Sequence, residues 1–196
     1  MIVTTDTKQN TISKKISLKG VGLHTGKDVT LTFVPSSADS GYVFKRVDLE
    51  NSPTIQADIK YVSSTDRGTC LNKNGLIIQT CEHVLAALVG SEIDNVIIEL
   101  NESEPPIMDG SAKFFVDALQ KAGVKQLDAK RKEFIVKRVI SFKDEDTGSE
   151  IMVLPAKNYK VTTMVDFGTK ILGTQNATID SISEFIPQIS NCRTFS

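Results

Sequence analysis

Residues 75–90 read GLIIQTCEHVLAALVG, and the rest of the chain is parsed outward from them. Leu76, Ile77 and Ile78 form a short apolar run suited to a buried strand. Thr80 is placed to N-cap a helix whose apolar face is Val84, Leu85 and Leu88, and Gly90 is placed to end it as a left-handed C-cap. Glu82 and His83 then fall in the first helical turn, where neighbouring side chains diverge by about 100° and the helix end contributes positive potential. A zinc hydrolase needs an imidazole on the metal and, at a different angle, a carboxylate that takes a proton from metal-bound water. The helix offers no second ligand, because the residue four after His83 is Ala87 rather than the histidine of HExxH. Taken alone, the pair reads as the polar end of a capped amphipathic helix.

Upstream, Val29, Leu31 and Phe33 alternate with Thr30 and Thr32, and Ile12, Lys14, Ile16 and Leu18 alternate less evenly, which predicts an opening hairpin around GVGLHTGK at 20–27. His24 sits at its tip among Gly20, Gly22 and Gly26. Those glycines let the backbone approach another surface closely or, on the plainer reading, only make the turn. Gly41–Leu49 and Thr54–Tyr61 are further strand candidates, the second with Ile55, Ala57, Ile59 and Tyr61 on one face. Downstream, Asn95–Leu100 is a compact β-branched strand. PPIMDGSA at 105–112 turns into a second helix with Ser111 as N-cap, a buried stripe of Phe114, Phe115, Ala118, Leu119 and Ala122, and Gly123 at its end.

Residues 128–133, DAKRKE, carry no apolar side chain except Ala129, and a fresh set of strands is expected from Phe134. A boundary is therefore placed between a first domain at 1–129 and a second at 130–196. In the second, Phe134–Phe142, Glu150–Leu154 and Tyr159–Phe167 are strand-like around a turn at Asp144–Gly148, and a short helix near Ser181–Ile189 is interrupted by Pro187. Its element order resembles that of the first, hinting at duplication, but it is too short to bury a core of its own, so the working protein is expected to continue past Ser196.

The chain has 196 residues, 40% of them hydrophobic and 24% charged, the composition of an ordinary globular protein with an α+β element pattern. Three cysteines, Cys70, Cys81 and Cys192, have no CxxC spacing, which indicates reduced thiols rather than a disulfide framework or a cysteine metal cluster. The N-terminus lacks a basic region followed by an apolar core, and no run approaches the roughly 18 apolar residues of a membrane span, so a soluble protein is expected. A net charge of −1 and no tryptophan leave no basic stripe or stacking platform for nucleic acid.

GVGLHTG at 20–26, TCEHVLAAL at 80–88, IDNVIIEL at 93–100, PIMDGSA at 106–112 and CRTF at 192–195, taken in that order along nearly the whole chain, closely resemble the zinc-dependent UDP-3-O-acyl-N-acetylglucosamine deacetylases of lipid A biosynthesis. The resemblance implies an α+β fold of two β-α-α-β two-layer sandwiches, one complete in this chain and a second begun. It implies Glu82 as general base, His83 as one of three zinc ligands, and Thr194 as the hydroxyl that stabilises the oxyanion. It places Phe195 beside the acyl-chain passage and His24 among the substrate-binding residues. Asp109 becomes an orienting partner, against a plain reading as a turn aspartate serving backbone donors. The family's second histidine ligand, its aspartate ligand, a lysine and a further histidine would all lie past Ser196, since the chain has only 2 histidines. The expected activity is therefore Zn2+-dependent removal of the N-acetyl group from a cytoplasmic UDP-linked acylated glucosamine, with this chain alone inactive and holding zinc weakly or not at all. The natural gene is left open to fusion with a further lipid-synthesis domain. The rival reading is a non-catalytic α+β module without a metal site. A Cys81 nucleophile beside His83 is disfavoured, because residues two apart on a helix do not face each other.

Overall fold

The structure, a computed structural model, describes residues 1–194. Two units are distinguished: Lys8–Ala129 with the terminal segment from Phe185 onward, and Met1–Thr7 with Lys130–Glu184. The chain passes from one to the other three times, twice within long strands that pair with each other, β1 (Ile2–Ile12) and β10 (Val124–Phe134), and once between Glu184 and Phe185. The charged run 128–133 is thus part of a strand rather than a linker. Its alternation of exposed and half-covered side chains suits a two-stranded ribbon that buries little.

In the larger unit, β2 (Ile16–Val21), β3 (Asp28–Pro35), β4 (Tyr42–Arg46), β5 (Thr54–Gln56) and β9 (Val96–Leu100) form one sheet in the order β2-β3-β9-β4-β5. Neighbours are antiparallel except β4 and β9, which are parallel. Register aligns the apolar residues across the strands: Phe33 opposes Ile98, Ile98 opposes Phe44, and Phe44 opposes Ile55. All of them are fully buried, and each such side chain removed from water is worth about 1.5–3 kcal/mol. The second layer is a pair of helices, α1 (Glu82–Gly90) and α2 (Lys113–Ala122), which pack on each other, α2 also lying against β2. They bury Val84, Ala87 and Leu88 from α1 and Phe115, Val116, Ala118, Leu119 and Ala122 from α2. The fold is α+β, as expected.

Several local expectations are corrected. Leu76–Ile78 is a strand, β8, but it belongs to a separate antiparallel sheet with β6 (Val62–Ser64) and β7 (Cys70–Lys73), and Ile77 faces outward. The alternation through Thr54–Tyr61 ends at Gln56, because Asp58 accepts the Lys60 N–H at 3.1 Å and starts a 3-10 turn that leaves Ile59 87% exposed. Gly90 is not a left-handed cap. It is the last helical residue, and a Cβ there would overlap the ring of Phe185, so glycine is required by that close approach. Ser111 accepts the Lys113 N–H at 3.2 Å and so performs the capping expected of it, although α2 is counted from Lys113. The segment Phe185–Ile189 is a single π-helical turn containing Pro187.

The smaller unit contains two antiparallel hairpins, β11 (Ile140–Lys143) with β12 (Glu150–Val153), and β13 (Val161–Asp166) with β14 (Thr174–Ile179). The turn at Asp144–Gly148 is held by Asp144, whose Oδ1 accepts the N–H of Asp146 at 2.9 Å and of Thr147 at 3.3 Å. Strand β14 has no counterpart in the sequence reading, and the strand expected over Phe134–Phe142 is split, β10 ending at Phe134 and β11 starting at Ile140. Among the described residues of this unit, Ile179 alone is buried.

Candidate active site

Glu82 and His83 open α1, where a carboxylate is favoured by the unpaired N–H groups of the first turn. The cap expected at Thr80 is replaced by a different arrangement. Thr80 has φ of 49°, a left-handed conformation that is unusual for a β-branched residue, and its hydroxyl donates to Glu104 Oε1 at 2.9 Å instead of accepting from the helix. Cys81 occupies the capping position without a side-chain cap. Its N–H and its thiol both reach the Thr69 carbonyl, at 3.3 and 3.4 Å.

The loop before β7 wraps this turn. The Thr69 N–H donates to Glu82 Oε2 at 3.0 Å, which fixes one carboxylate oxygen and leaves Oε1 for other partners. Arg67, also left-handed with φ of 57°, accepts a 3.4 Å hydrogen bond from His24 Nε2 at its carbonyl oxygen. His24 and Glu82, read as separate motifs, are thus bracketed by one short loop. The His83 imidazole is half-buried and has no hydrogen-bond partner among the described residues.

Beneath this group lies Glu104, which the sequence reading did not single out. It is 0% exposed. Its carboxylate accepts the N–H groups of His24 (3.2 and 3.1 Å) and Thr25 (2.9 Å) and the hydroxyls of Thr25 (3.0 Å) and Thr80 (2.9 Å). Burial alone would raise its pKa, but the donors from Thr25, His24 and Thr80 outweigh it and hold the group below the ordinary glutamate value. Gly22 is needed for this fit, since a Cβ there would lie 2.7 Å from Glu104 Oε2. A glutamate in a polar loop ahead of two prolines carries no pattern from which that burial could be read.

Asp109 and Thr194 come together at a second locus. Asp109 Oδ1 accepts the Ser111 hydroxyl at 2.6 Å and the Ser111 N–H at 3.1 Å, and the hydroxyl above all lowers its pKa, with Arg193 Nε, 3.6 Å away, adding to the effect. The Thr194 N–H donates to the Gly110 carbonyl at 2.8 Å, so the terminal segment is laid along the same turn with the Thr194 side chain exposed. No hydrogen bond or ion pair among the described residues joins this locus to Glu82. The connection runs along the chain from Asp109 back to Glu104, which the Thr80 hydroxyl joins to the start of α1. Phe195, expected beside an acyl-chain passage, lies outside the described residues.

Cys81 is ruled out as an accessible nucleophile. It is fully buried, and burial, with the neighbouring Glu82 charge, pushes its thiol up to about 12. Among the described residues no three His, Cys, Asp or Glu side chains form a group able to hold a metal.

The Bacteroides thetaiotaomicron protein named bifunctional enzyme LpxC/FabZ is 42% identical over 188 residues, covering 96% of this chain and 41% of its own length. The UDP-3-O-acyl-N-acetylglucosamine deacetylase of Saccharophagus degradans is 40% identical over 191 residues, covering 96% of this chain and 62% of its own. That of Geotalea uraniireducens is 38% identical over 188 residues, covering 95% and 61%. The chain therefore spans less than two thirds of the length of each of these relatives. The blocks that build the two loci lie inside residues 9–196, the span matched by the family model for UDP-3-O-acyl N-acetylglycosamine deacetylase, and the chain belongs to that family.

Proposed function

We propose that this chain supplies the base-bearing part of a zinc-dependent hydrolase that removes the N-acetyl group from UDP-3-O-acyl-N-acetylglucosamine in the cytoplasm, a step of lipid A synthesis. The observation that carries the reading is the family match over residues 9–196 with Glu82 and His83 together on the first turn of α1. The donor chemistry fits zinc in part: an unpartnered imidazole at His83 suits one ligand, and a site of three needs two more from outside the described residues. When bound, zinc would polarise the amide carbonyl and make its water acidic enough to attack at neutral pH.

The residues of this chain would act as follows. Glu82, oriented by the Thr69 N–H on Oε2, takes the proton of the attacking water at Oε1. The Thr194 hydroxyl donates to the oxyanion that forms on the amide carbonyl oxygen as water adds to the carbon, its backbone anchored on Gly110. Asp109 holds the turn that carries that anchor through Ser111. His24 presents an exposed imidazole to substrate from the β2–β3 loop, and Phe195 borders the acyl chain. The proton on Glu82 then passes to the leaving amine directly or through a group outside this chain. On this reading the 196 residues alone are inactive and hold zinc weakly. The relative named as bifunctional supports a natural form fused to a further lipid-synthesis domain.

The test uses a form extended to the length of the deacetylase relatives. Glu82→Ala should lose about 10²–10⁴-fold in kcat and keep its zinc, whereas His83→Ala should lose zinc as well. Activity of Glu82→Ala within about threefold of the parent would remove the general-base role. Failure of the extended form to bind zinc or release acetate would favour the non-catalytic module.

A further inference from the structure

Two charged side chains are buried among the described residues, and they are satisfied in opposite ways. Arg46 is paired in bidentate fashion with Asp48, at 2.8 and 2.6 Å. Glu104 has no cationic partner among the described residues and is held only by neutral donors from two places in the chain, the His24–Thr25 backbone and side chain and the Thr80 hydroxyl. A buried carboxylate that loses any of these donors cannot turn to water for another, so the donors are retained together or the charge is left unpaired. Two features show the chain bent to suit this arrangement. Thr80 keeps a left-handed backbone that is costly for a β-branched residue, two residues before the helix that starts with Glu82. Gly22 leaves the space that the carboxylate and the Thr25 hydroxyl fill.

We infer that Glu104 is a positioning residue: it ties the His24 loop to the Thr80 turn, so that the exposed imidazole of His24 and the carboxylate of Glu82 keep fixed places before any ligand arrives. The inference deepens the reading of those two residues given above and rests on it for its catalytic meaning. The two turn hydrogen bonds at Gly22 close the loop but leave the His24 N–H to Glu104; without that anchor, ordering His24 on binding would carry an entropic cost, and catalytic groups lose effectiveness when displaced by about 1 Å.

The experiment reads amide hydrogen exchange in the 196-residue chain for Glu104→Gln, Thr80→Val and Thr80→Ser. Glutamine keeps the shape but turns an amide N–H₂ toward donors. Valine removes only the Thr80 hydroxyl and provides the test if the Glu104 variant does not fold. In both Glu104→Gln and Thr80→Val the Thr69 amide, which is bound to Glu82, should exchange about tenfold faster or more, as for loss of a hydrogen bond to a charged acceptor. The His24 and Thr25 amides should accelerate similarly in Glu104→Gln, and Thr80→Ser should restore Thr69. Leu31 and Ile98, in the central strands, should not change. Acceleration at His24 and Thr25 with Thr69 unmoved would make Glu104 a staple of its own loop and overturn the inference, as would equal acceleration at Leu31 and Ile98 in Thr80→Val. In the extended form, Thr80→Val should lower kcat about tenfold at unchanged zinc affinity and Thr80→Ser should recover it. If the extended form shows no deacetylase activity, the proposed function fails while the exchange data still decide the role of Glu104.

Discussion

Phe44 on β4 and Phe142 on β11 sit on short strands of similar apolar character, yet Phe44 is 0% exposed and Phe142 is 66% exposed. The pairing is equally regular in both places. Phe44 is matched with Ile55 and Ile98, and Phe142 with Ile151. What differs is the second layer, since α1 and α2 belong to the larger unit and the smaller unit has no α-helix among its described residues. A two-stranded hairpin closes its hydrogen bonds locally but is marginal in water without a surface to bury its apolar face. Strand formation and core formation are therefore separate properties of this chain, and the candidate site residues lie in the unit where both are present.

The sharpest way to break that contrast is hydrogen exchange across the two units. The Leu31 and Ile98 amides should exchange at least about 10³-fold more slowly than those of Phe142 and Met164, because the former open only with the unit as a whole. Equal protection would show that the hairpins are covered after all. Urea melts read the same contrast in side chains. Phe44→Ala should destabilise the larger unit by about 3–5 kcal/mol, and Phe142→Ala should stay within about 0.5 kcal/mol.

Gly90→Ala isolates a single contact, between α1 and the π-helical turn at Phe185. Helix propensity alone would make it stabilising by about 1 kcal/mol, but overlap of the new Cβ with Phe185 should reverse the sign and cost about 1–3 kcal/mol. Adding Phe185→Ala should remove most of that overlap, so the double variant is less than additive relative to the two single changes. Acid gives the mildest probe. The folded pKa of Glu104 lies below its ordinary value of 4.5, so between the two values the unfolded chain binds more protons. Its contribution is present above pH 4.5 and is lost as pH falls through the folded value, and Glu104→Gln should flatten that part of the pH–stability curve of the larger unit. Asp144 is lowered by the hydrogen bonds it accepts from the Asp146 and Thr147 N–H groups in a surface turn, and its protonation should loosen only the β11–β12 hairpin.

The elements that could be read in the sequence are those whose signal is local. Helix α2 carries its stripe, its Ser111 hydroxyl and its terminal Gly123, and β3 alternates cleanly. The misreadings arise where a distant partner overrides a local preference. Thr80 has the chemistry of a helix cap, but its hydroxyl is taken by Glu104. Gly90 stands where a C-cap is common, yet it is retained for the ring of Phe185. Strands β1 and β10 are polar and charged because their ribbon buries little, so most of β1 carried no strand signal and the charged run in β10 read as a domain boundary. A further local signal lies between β7 and β8. Asn74–Gly75 forms a two-residue hairpin turn, both residues at positive φ, that sets Lys73 opposite Leu76. At the candidate site Glu82 and His83 are singled out by their place on the first helical turn, and their roles and that of His24 are implied by motif resemblance. The loop at Arg67–Thr69 and the buried carboxylate are not, because neither position is distinguishable until the chain is folded.

The burial of Cys81 has a practical consequence for labelling chemistry. Thiol reagents attack the thiolate, and a group with pKa pushed up to about 12 beneath the Thr69 carbonyl offers almost none at neutral pH. Cys192 is exposed, two residues before Thr194, whose backbone is anchored on the Asp109–Ser111 turn. A maleimide fluorophore should therefore modify Cys192 ahead of half-buried Cys70 and leave Cys81 intact, placing an optical reporter beside the candidate oxyanion donor without disturbing the residues that orient Glu82.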